Sequence, residues 1–415
     1  MSELIIAPWG NPENWKKVSY LYDGKKCVTH ACTLALSDML SIKKIVVILS
    51  STLMDKPANN YRELENKVKE KIKSTNILTS NEIKLWVAPG IGRFGKDTIY
   101  IHKGSIDLYY NYVYYNTLIL FNEINDDIKL HLDLTHGINY MPIMVREAIE
   151  LAAATYAAAN GKIVEIIIYN SDPLSPIPKQ DDPNIELNIN QVANVKFKSY
   201  ESLNELLTRL TLNYDFNIFR WSRISNQNSV SKDDIESIYK ASKAGEMGLL
   251  LVIGSIMGKL KDIKGRVDDT LKKLLEPMIE CKNNDPLIFD YTLKLKKEVS
   301  LLHAILHALT SINIEAEVKL STLKELNEKF YKNTAVYSIL SNELHCICNL
   351  DINNQYTLYG ELKYGEKFDK TKEGKANQRI LYAHAGLEEN VTLLRRDDGD
   401  IYLKYKCIDN ILEQI

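Results

Sequence analysis

HLDLTHGINYMP, residues 131–142, reads as the end of a strand, a polar turn and the start of a helix. Gly137 and Asn139 suit the turn, and Tyr140 to Asn160 is alanine-rich and helical in spacing. Similar units lie on both sides. LIIAP at 4–8 reads as a strand, followed by a long loop and a helix over Thr29 to Met39. KKIVVILSS at 43–51 is a nearly continuous apolar run, as expected of a strand buried on both faces. A charged helix at about 58–74 and the strand IKLWVAP at 83–89 come next. Asp107 to Glu123 suits a helix, although its Tyr and Val content also suits a strand. VEIIIYN at 164–170 is a further strand. This alternation predicts an α/β fold with a mostly parallel, doubly wound sheet. Ligands of such sheets bind at the carboxyl ends of the strands.

From about residue 171 the texture changes. SDPLSPIPKQDDPN carries four of the 11 prolines and reads as a loop. ELNINQVANVKF at 186–197 predicts an edge strand or hairpin. After Tyr200 the pattern is helical: Ser202 to Tyr214, Lys232 to Lys261, Val267 to Cys281, Phe289 to Ile312 and Leu320 to Cys348. Asp351 to Asp369 reads as a loop or hairpin. KANQRILYAHAGLEEN at 375–390 reads as a helix, and IYLKYKC at 401–407 as a late strand or frayed helix. The second half is thus an all-α unit.

The chain has 415 residues, 45% of them hydrophobic and 26% charged, with a formal net charge of -2. These values fit a soluble protein of two or three domains without an overall basic field. The start MSELIIAPWGN lacks a basic n-region and apolar h-region, and no apolar run reaches membrane-spanning length. The expectation is a cytoplasmic protein with no membrane contact. The six cysteines form no CxxC pair. Cys346 and Cys348, separated by one residue, are expected on a strand, and scattered thiols are expected rather than a metal site.

Three predicted strand ends carry Gly, Asn, Ser and Thr where a helix should begin: WGNPENW at 9–15, SSTLMDKP at 50–57 and THGINYMP at 135–142. Backbone N–H groups there can cradle phosphate, and small polar side chains can read ribose and base. Ordinary turn chemistry explains any one of them; three on one rim favour a nucleotide-like ligand. GIGRFGKD at 90–97 matches G-x-G-x-x-G and nearly a P-loop, but Asp97 replaces the magnesium-holding Ser or Thr. The strand-like TIYIHKG follows instead of a helix, so the segment reads as a hairpin turn. HAILH places His303 and His307 four apart but lacks a catalytic Glu, and reads as a pair of core histidines.

Arg379 and His384 sit five positions apart in the predicted 375–390 helix, about 140° around its axis. Arginine is a permanent cation shaped for phosphate, and histidine moves protons near neutral pH. Across a two-fold axis, two such pairs can converge in one cleft. That set suits attack of a ribose 2′-hydroxyl on the adjacent phosphodiester. Arg-x4-His alone is a weak pattern.

Together, the WGNP-x-x-W loop, the Asp-Leu-Thr-His-Gly-Ile-Asn strand end and Arg-x4-His in a helical second half resemble the CRISPR-associated CARF–HEPN ribonucleases. These are stand-alone type III effectors, and archaeal members are the most similar. The resemblance implies a Rossmann-like CARF domain over 1–200, a linker or helix-turn-helix-like segment over 201–240, and a helical HEPN domain over 241–415. It implies that Arg379 and His384 are catalytic and that Asn377 helps position RNA. It implies a cyclic oligoadenylate bound by Gly10, Asn11, Ser50, Ser51, Thr135, His136, Gly137, Ile138 and Asn139, with Asp133 orienting the loop. Many family members have a polar residue after the arginine; here it is Ile380.

The expected function is therefore a metal-independent endoribonuclease that cleaves single-stranded RNA in antiviral defence. No cofactor or metal is expected in catalysis, and cyclic tetra-adenylate is the expected allosteric activator. The expected assembly is a homodimer or a higher oligomer. Two alternatives stay open: a CARF-controlled DNA-binding regulator using Arg209, Arg220, Arg223 and Lys232, and a ring nuclease that degrades the messenger. A plain nucleotide-binding metabolic enzyme ranks behind both, because the glycine motif fails.

Overall fold

The computed structural model describes the chain except for residues 55, 79–82, 96–97, 214–225, 227–229, 283–285 and 333. Lys96, Asp97, Tyr214, Arg220 and Arg223 therefore lie outside the described residues. The chain enters along β1 (Ser2–Pro8) and the hairpin β2 (Val18–Tyr22) and β3 (Lys25–Thr29). It then alternates through α1 (Cys32–Leu40), β4 (Ile45–Ser50), α2 (Tyr61–Ser74) and β5 (Ile83–Ala88). The hairpin β6 (Ile91–Phe94) and β7 (Tyr100–Lys103) leads to α3 (Ile106–Ile124). β8 (Ile128–Asp133), α4 (Met141–Asn160), β9 (Val164–Ser171) and β10 (Glu186–Phe197) complete the first half.

Eight strands make the main sheet, in the order β3-β2-β10-β9-β8-β1-β4-β5. β9, β8, β1, β4 and β5 run parallel. The expected doubly wound sheet is present, and alternation within β1 shows why. Leu4 and Ile6 pack with α3 and α4 on one face, while Ile5 and Ala7 pack with α1 and α2 on the other. α3 resolves as a helix. Its mixed pattern reflects burial on nearly every side, between the sheet and the helices of the second half.

Two expectations in this half need correction. Residues 186–197 are not an edge: β10 is antiparallel to β9 and parallel to β2. The long loop after β1 contains the β2–β3 hairpin, which forms the edge instead. Its turn is Asp23-Gly24 with φ +50° and +72°, the twist that a two-residue hairpin needs.

The second half runs through α5 (Ser199–Asn213), α6 (Lys232–Glu246) and α7 (Leu250–Lys272). β11 (Ile279–Lys282), β12 (Leu287–Tyr291) and α8 (Glu298–Thr310) follow. Next come β13 (Val318–Lys319), α9 (Leu320–Phe330), α10 (Ala335–Cys348), β14 (Thr357–Leu358) and α11 (Tyr359–Tyr364). The chain finishes with α12 (Gln378–Ala383), β15 (Thr392–Asp397), β16 (Asp400–Tyr405) and α13 (Asp409–Leu412). The half is helical but not purely so. The helix expected over 232–261 breaks at Gly248, whose φ is +71°. The helices expected over 267–281 and 289–312 give up their ends to β11 and β12, and that over 320–348 divides into α9 and α10. Cys346 and Cys348 lie on α10 rather than on a strand. Among the described residues, no helix is long and apolar enough to cross a membrane.

The two halves are joined by structure as well as by chain. β12 pairs in parallel with β7, so a second sheet, β11-β12-β7-β6, draws strands from both. α3 and α8 share a buried polar link. Tyr114 Oη lies 2.7 Å from His303 Nδ1, and His303 Nε2 lies 2.6 Å from Asp268 Oδ1. An ionised carboxylate only accepts, so Nε2 carries the hydrogen and Nδ1 accepts from the tyrosine. Burial works to raise the Asp268 carboxyl; hydrogen bonds and charge from His303 and Lys264 outweigh it and hold it below the usual carboxylate range.

These features set the stability. Replacing Tyr114 by Phe leaves a buried histidine acceptor unpaired, and should cost about 1–3 kcal/mol in denaturant unfolding. Acid should also destabilise the fold. Burial lowers His102 to about 4, His131 to about 4 and His307 to about 3. Between pH ~6.5 and ~4 the unfolded chain binds protons that the native chain refuses, so stability falls as pH falls. His102 and His131, each almost fully buried, contribute up to about 3 kcal/mol apiece of this loss. Asp268, with its lowered value, adds a further loss below pH ~4. Urea midpoints measured from pH 7.5 to 4.5 should decline throughout; a flat profile contradicts this reading.

Candidate functional site

β1 lies between β4, the next strand of the parallel set along the chain, and β8, which is added later on its other side. The loops after β1 and β8 therefore diverge at the switch point, where open α/β sheets hold their ligands. Gly10 N–H donates to the His136 carbonyl at 2.8 Å, clasping the loops together. A Cβ on Gly10 would lie 2.9 Å from Ile138 Cγ2 and 3.4 Å from the His136 carbonyl oxygen, so a larger residue here would have to push the exposed Ile138 side chain aside.

Asp133, fully buried at the end of β8, holds the loop from beneath. It accepts from the Thr135 N–H at 3.0 Å and from Thr33 Oγ1 at 2.5 Å, and Thr33 in turn accepts from Trp9 Nε1 at 2.9 Å. Thr135 Oγ1 accepts from the Ser171 N–H at 3.0 Å, tying the loop to the end of β9. The His136 ring lies 4.2 Å from Trp15 between centroids, and its Nε2 accepts from the Cys32 N–H at 3.0 Å. Burial lowers its pKa. His136 is thus a neutral ring with its hydrogen on Nδ1.

The structure brings the expected rim residues together but gives them different duties. Ser50 caps the turn over Ser51–Leu53 by accepting from Thr52 N–H. Ser51 is completely buried: its Oγ accepts from the Gly90 N–H at 2.8 Å and lies 2.7 Å from Tyr291 Oη and 3.3 Å from His102 Nδ1. Asn11 caps the turn over Pro12–Asn14. Ile138 and Asn139 are exposed, Asn139 with φ +50°.

Two cavities flank this ridge. One, of about 530 Å³, is bounded by Trp15, Tyr20, His30, Thr135, His136 and Asp172. The other, of about 440 Å³, is bounded by Asn11, Thr52, Met54, Lys71, Phe94 and Ile138. Both fall within the range of small-ligand sites. Trp15 stood in the WGNPENW loop as a visible signal; Tyr20, His30 and Asp172 carried none, because the hairpin and the β9–β10 connection bring them in.

The helix expected to carry Arg379 and His384 also needs a correction. The helix expected over 375–390 is only α12, six residues long. It stops because Ala385 and Gly386 take φ of +47° and +82°, and Tyr405 Oη donates to the Gly386 carbonyl at 2.7 Å. Arg379 lies in its first turn and His384 is its C-cap. Asn377 is the N-cap; its Oδ1 accepts from the Arg379 N–H at 3.1 Å and the Ile380 N–H at 3.3 Å. Buried Glu388 holds the approach to α12 by accepting from the Asn377 N–H at 3.0 Å. Burial raises the Glu388 carboxyl.

Arg379 is exposed, and among the described residues its guanidinium has no hydrogen-bond or ion-pair partner. His384 is about one-third exposed, and its Nδ1 lies 2.8 Å from Glu343 Oε1 on α10. Glu343 stood out in no motif. His303 and His307 belong to the core; both ring nitrogens of His303 are paired, and His307 Nδ1 is buried with no hydrogen-bond partner among the described residues.

Comparison with known proteins adds the family. Residues 4–173 match the model for "CRISPR system endoribonuclease Csx1, CARF domain", and residues 333–407 that for the HEPN domain of the same endoribonuclease. The CRISPR system endoribonuclease Csx1 of Methanocaldococcus jannaschii is 27% identical over 426 aligned residues, covering 94% of this chain and 86% of that protein. Among solved structures, Enterococcus italicus Csm6 bound to cyclic hexa-2′-fluoro-hexa-dAMP aligns over 93% of this chain and 92% of its own. Its identity is 12% and its TM-score 0.29, a likeness that fixes no residue correspondence. The N-terminal domain is a CARF domain and the C-terminal domain a HEPN domain, and the chain belongs to the CRISPR-associated CARF–HEPN endoribonucleases.

Proposed function

We propose that this endoribonuclease is switched on by a cyclic oligoadenylate, with cyclic tetra-adenylate as the first candidate, and cleaves single-stranded RNA without a metal ion. The observation that carries the reading is the switch-point cavity walled by Trp15, Thr135 and His136. An aromatic plane, a neutral imidazole and loop backbone suit a purine and its phosphate. The ring has rotational symmetry, so two chains related by a two-fold axis can share one ring. The sensing unit is assigned to residues 1–200, the connection to 201–240 and the catalytic unit to 241–415. Of the nine rim residues, Gly10, Ser50, Ser51, Thr135 and Gly137 shape the frame. Asn11, His136, Ile138 and Asn139 are left to face the ligand.

In the catalytic unit, two copies of α12 would meet across the same axis. His384 takes the 2′-hydroxyl proton as the 2′-oxygen bonds to phosphorus. The bond to the 5′-oxygen breaks, and that oxygen takes a proton from water as it leaves, giving a 2′,3′-cyclic phosphate and a 5′-hydroxyl. Arg379 stabilises the charge gathered on the phosphoryl oxygens. A single strand reaches the in-line geometry that a duplex resists. The assembly fits a cytoplasmic antiviral effector.

The test is cleavage of end-labelled single-stranded RNA in EDTA, with and without cyclic tetra-adenylate. Cleavage should require the messenger, persist in EDTA and fall at least about 100-fold in Arg379→Ala and His384→Ala proteins. No cleavage with any ring size, or full cleavage by His384→Ala, would sink the proposal. Loss of the ring itself in the His384→Ala protein would point to a separate ring-cleaving activity.

A second prediction concerns Asn377. Its carbonyl oxygen caps α12, so Asn377→Ala should cost about 1 kcal/mol of stability, and Asn377→Asp should restore it. If Asn377→Asp regains stability but not cleavage, the amide also serves RNA. If both return together, capping is its whole contribution.

A further inference from the structure

We propose that Glu343 is a positioning residue for RNA cleavage: it fixes the tautomer and orientation of His384. The inference rests on the reading of His384 as the group that accepts the 2′-hydroxyl proton.

Glu343 belongs to α10, 41 residues before His384, and the fold brings the two together. Its side chain is 13% exposed, against 34% for His384, so the carboxylate forms the floor of the contact and the imidazole its open side. Glu343 Oε1 lies 2.8 Å from His384 Nδ1, and its Oε2 lies 3.4 Å from Tyr359 Oη on α11. The carboxylate is thus held from a second element. A carboxylate only accepts, so a neutral His384 must carry its hydrogen on Nδ1. Nε2 then keeps its lone pair, and it has no partner among the described residues. An imidazole free of such a neighbour leaves either nitrogen protonated, and half-buried rings turn about χ2.

A base must present the correct nitrogen before reaction begins. Glu343 meets that need without touching RNA. The neighbouring groups do not replace it. On α10, His345 is engaged with Asn349. On α11, Tyr359 reaches the Glu343 carboxylate rather than the imidazole. Glu389 is held by Lys363 and Tyr364. Glu388 is spent on the Asn377 N–H and Asn390. Arg379 on the same helix is a cation and cannot accept from Nδ1.

Three proteins test this: parent, Glu343→Ala and Glu343→Gln, each saturated with cyclic tetra-adenylate. RNA turnover gives kcat and KM. Long-range proton–nitrogen spectra of ring-15N histidine, with the His384 signal identified by its absence in His384→Ala, give the tautomer. The parent should show His384 with hydrogen on Nδ1. Glu343→Ala should lose at least about tenfold in kcat with KM nearly unchanged, and its His384 signal should shift toward the Nε2–H form. Glutamine still offers a carbonyl oxygen to Nδ1–H, so Glu343→Gln should keep the parent tautomer and recover most of the loss. The proposal is overturned if Glu343→Ala cleaves as the parent does. It is equally overturned if both variants lose activity while the tautomer stays on Nδ1. Failure of the underlying reading looks different: His384→Ala itself would cleave normally.

Discussion

Parallel pairing of β12 with β7 is the constraint on which the rest of the molecule depends. The register sets Leu287 opposite Tyr100 and Asp290 opposite Lys103. Tyr291 then falls just past the last pair, with its hydroxyl 2.7 Å from Ser51 Oγ beneath the CARF rim. Ser51 is completely buried, so its hydroxyl must be paired inside the protein. A strand of the second half supplies that pairing. The CARF rim is therefore built from both halves of the chain, although its sequence motifs all lie in the first.

The same economy runs through the α3–α8 contact. Tyr114, His303 and Asp268 form a buried chain, and Asn111 accepts from Ser300 Oγ at 2.5 Å beside it. Groups like these hold one geometry because any other leaves a polar atom unpaired in the core. The two halves of a single copy are thus locked to one another. A messenger that acts on this protein would shift the arrangement between copies more readily than within one. Placing Arg379 and His384 on a short capped turn, half open to solvent, suits that arrangement. The turn is fixed from behind by Asn377, Glu388 and Glu343, while its outward side stays available to a second chain.

Much of the first half was legible because parallel strands buried on both faces announce themselves as unbroken apolar runs. KKIVVILSS is one, and β4 lies where it was expected. The interior place of β10 was not legible. Its alternating polar residues fit an edge, and only the pairing with β2 reveals what covers it. In the second half, helical periodicity showed that helices were there but not where they stopped. Gly248, and Ala385 with Gly386, end them through positive φ, and neither turn carries a proline signal. β11 and β12 were hidden because a strand of four or five residues has too few positions to show a period. Arg379 and His384 could be picked out as a spaced pair. Glu343 could not, since nothing in the sequence SNELHC marks a contact 41 residues away.

If two chains share one cyclic messenger at the switch point, as proposed, the stoichiometry of binding reveals it. The experiment is a calorimetric titration of cyclic tetra-adenylate into the His384→Ala protein, which keeps the rim intact. Saturation is expected at about one ring per two chains, with binding lost when His136 is replaced by Ala. Saturation at one ring per chain, or no binding by any cyclic oligoadenylate, would contradict it.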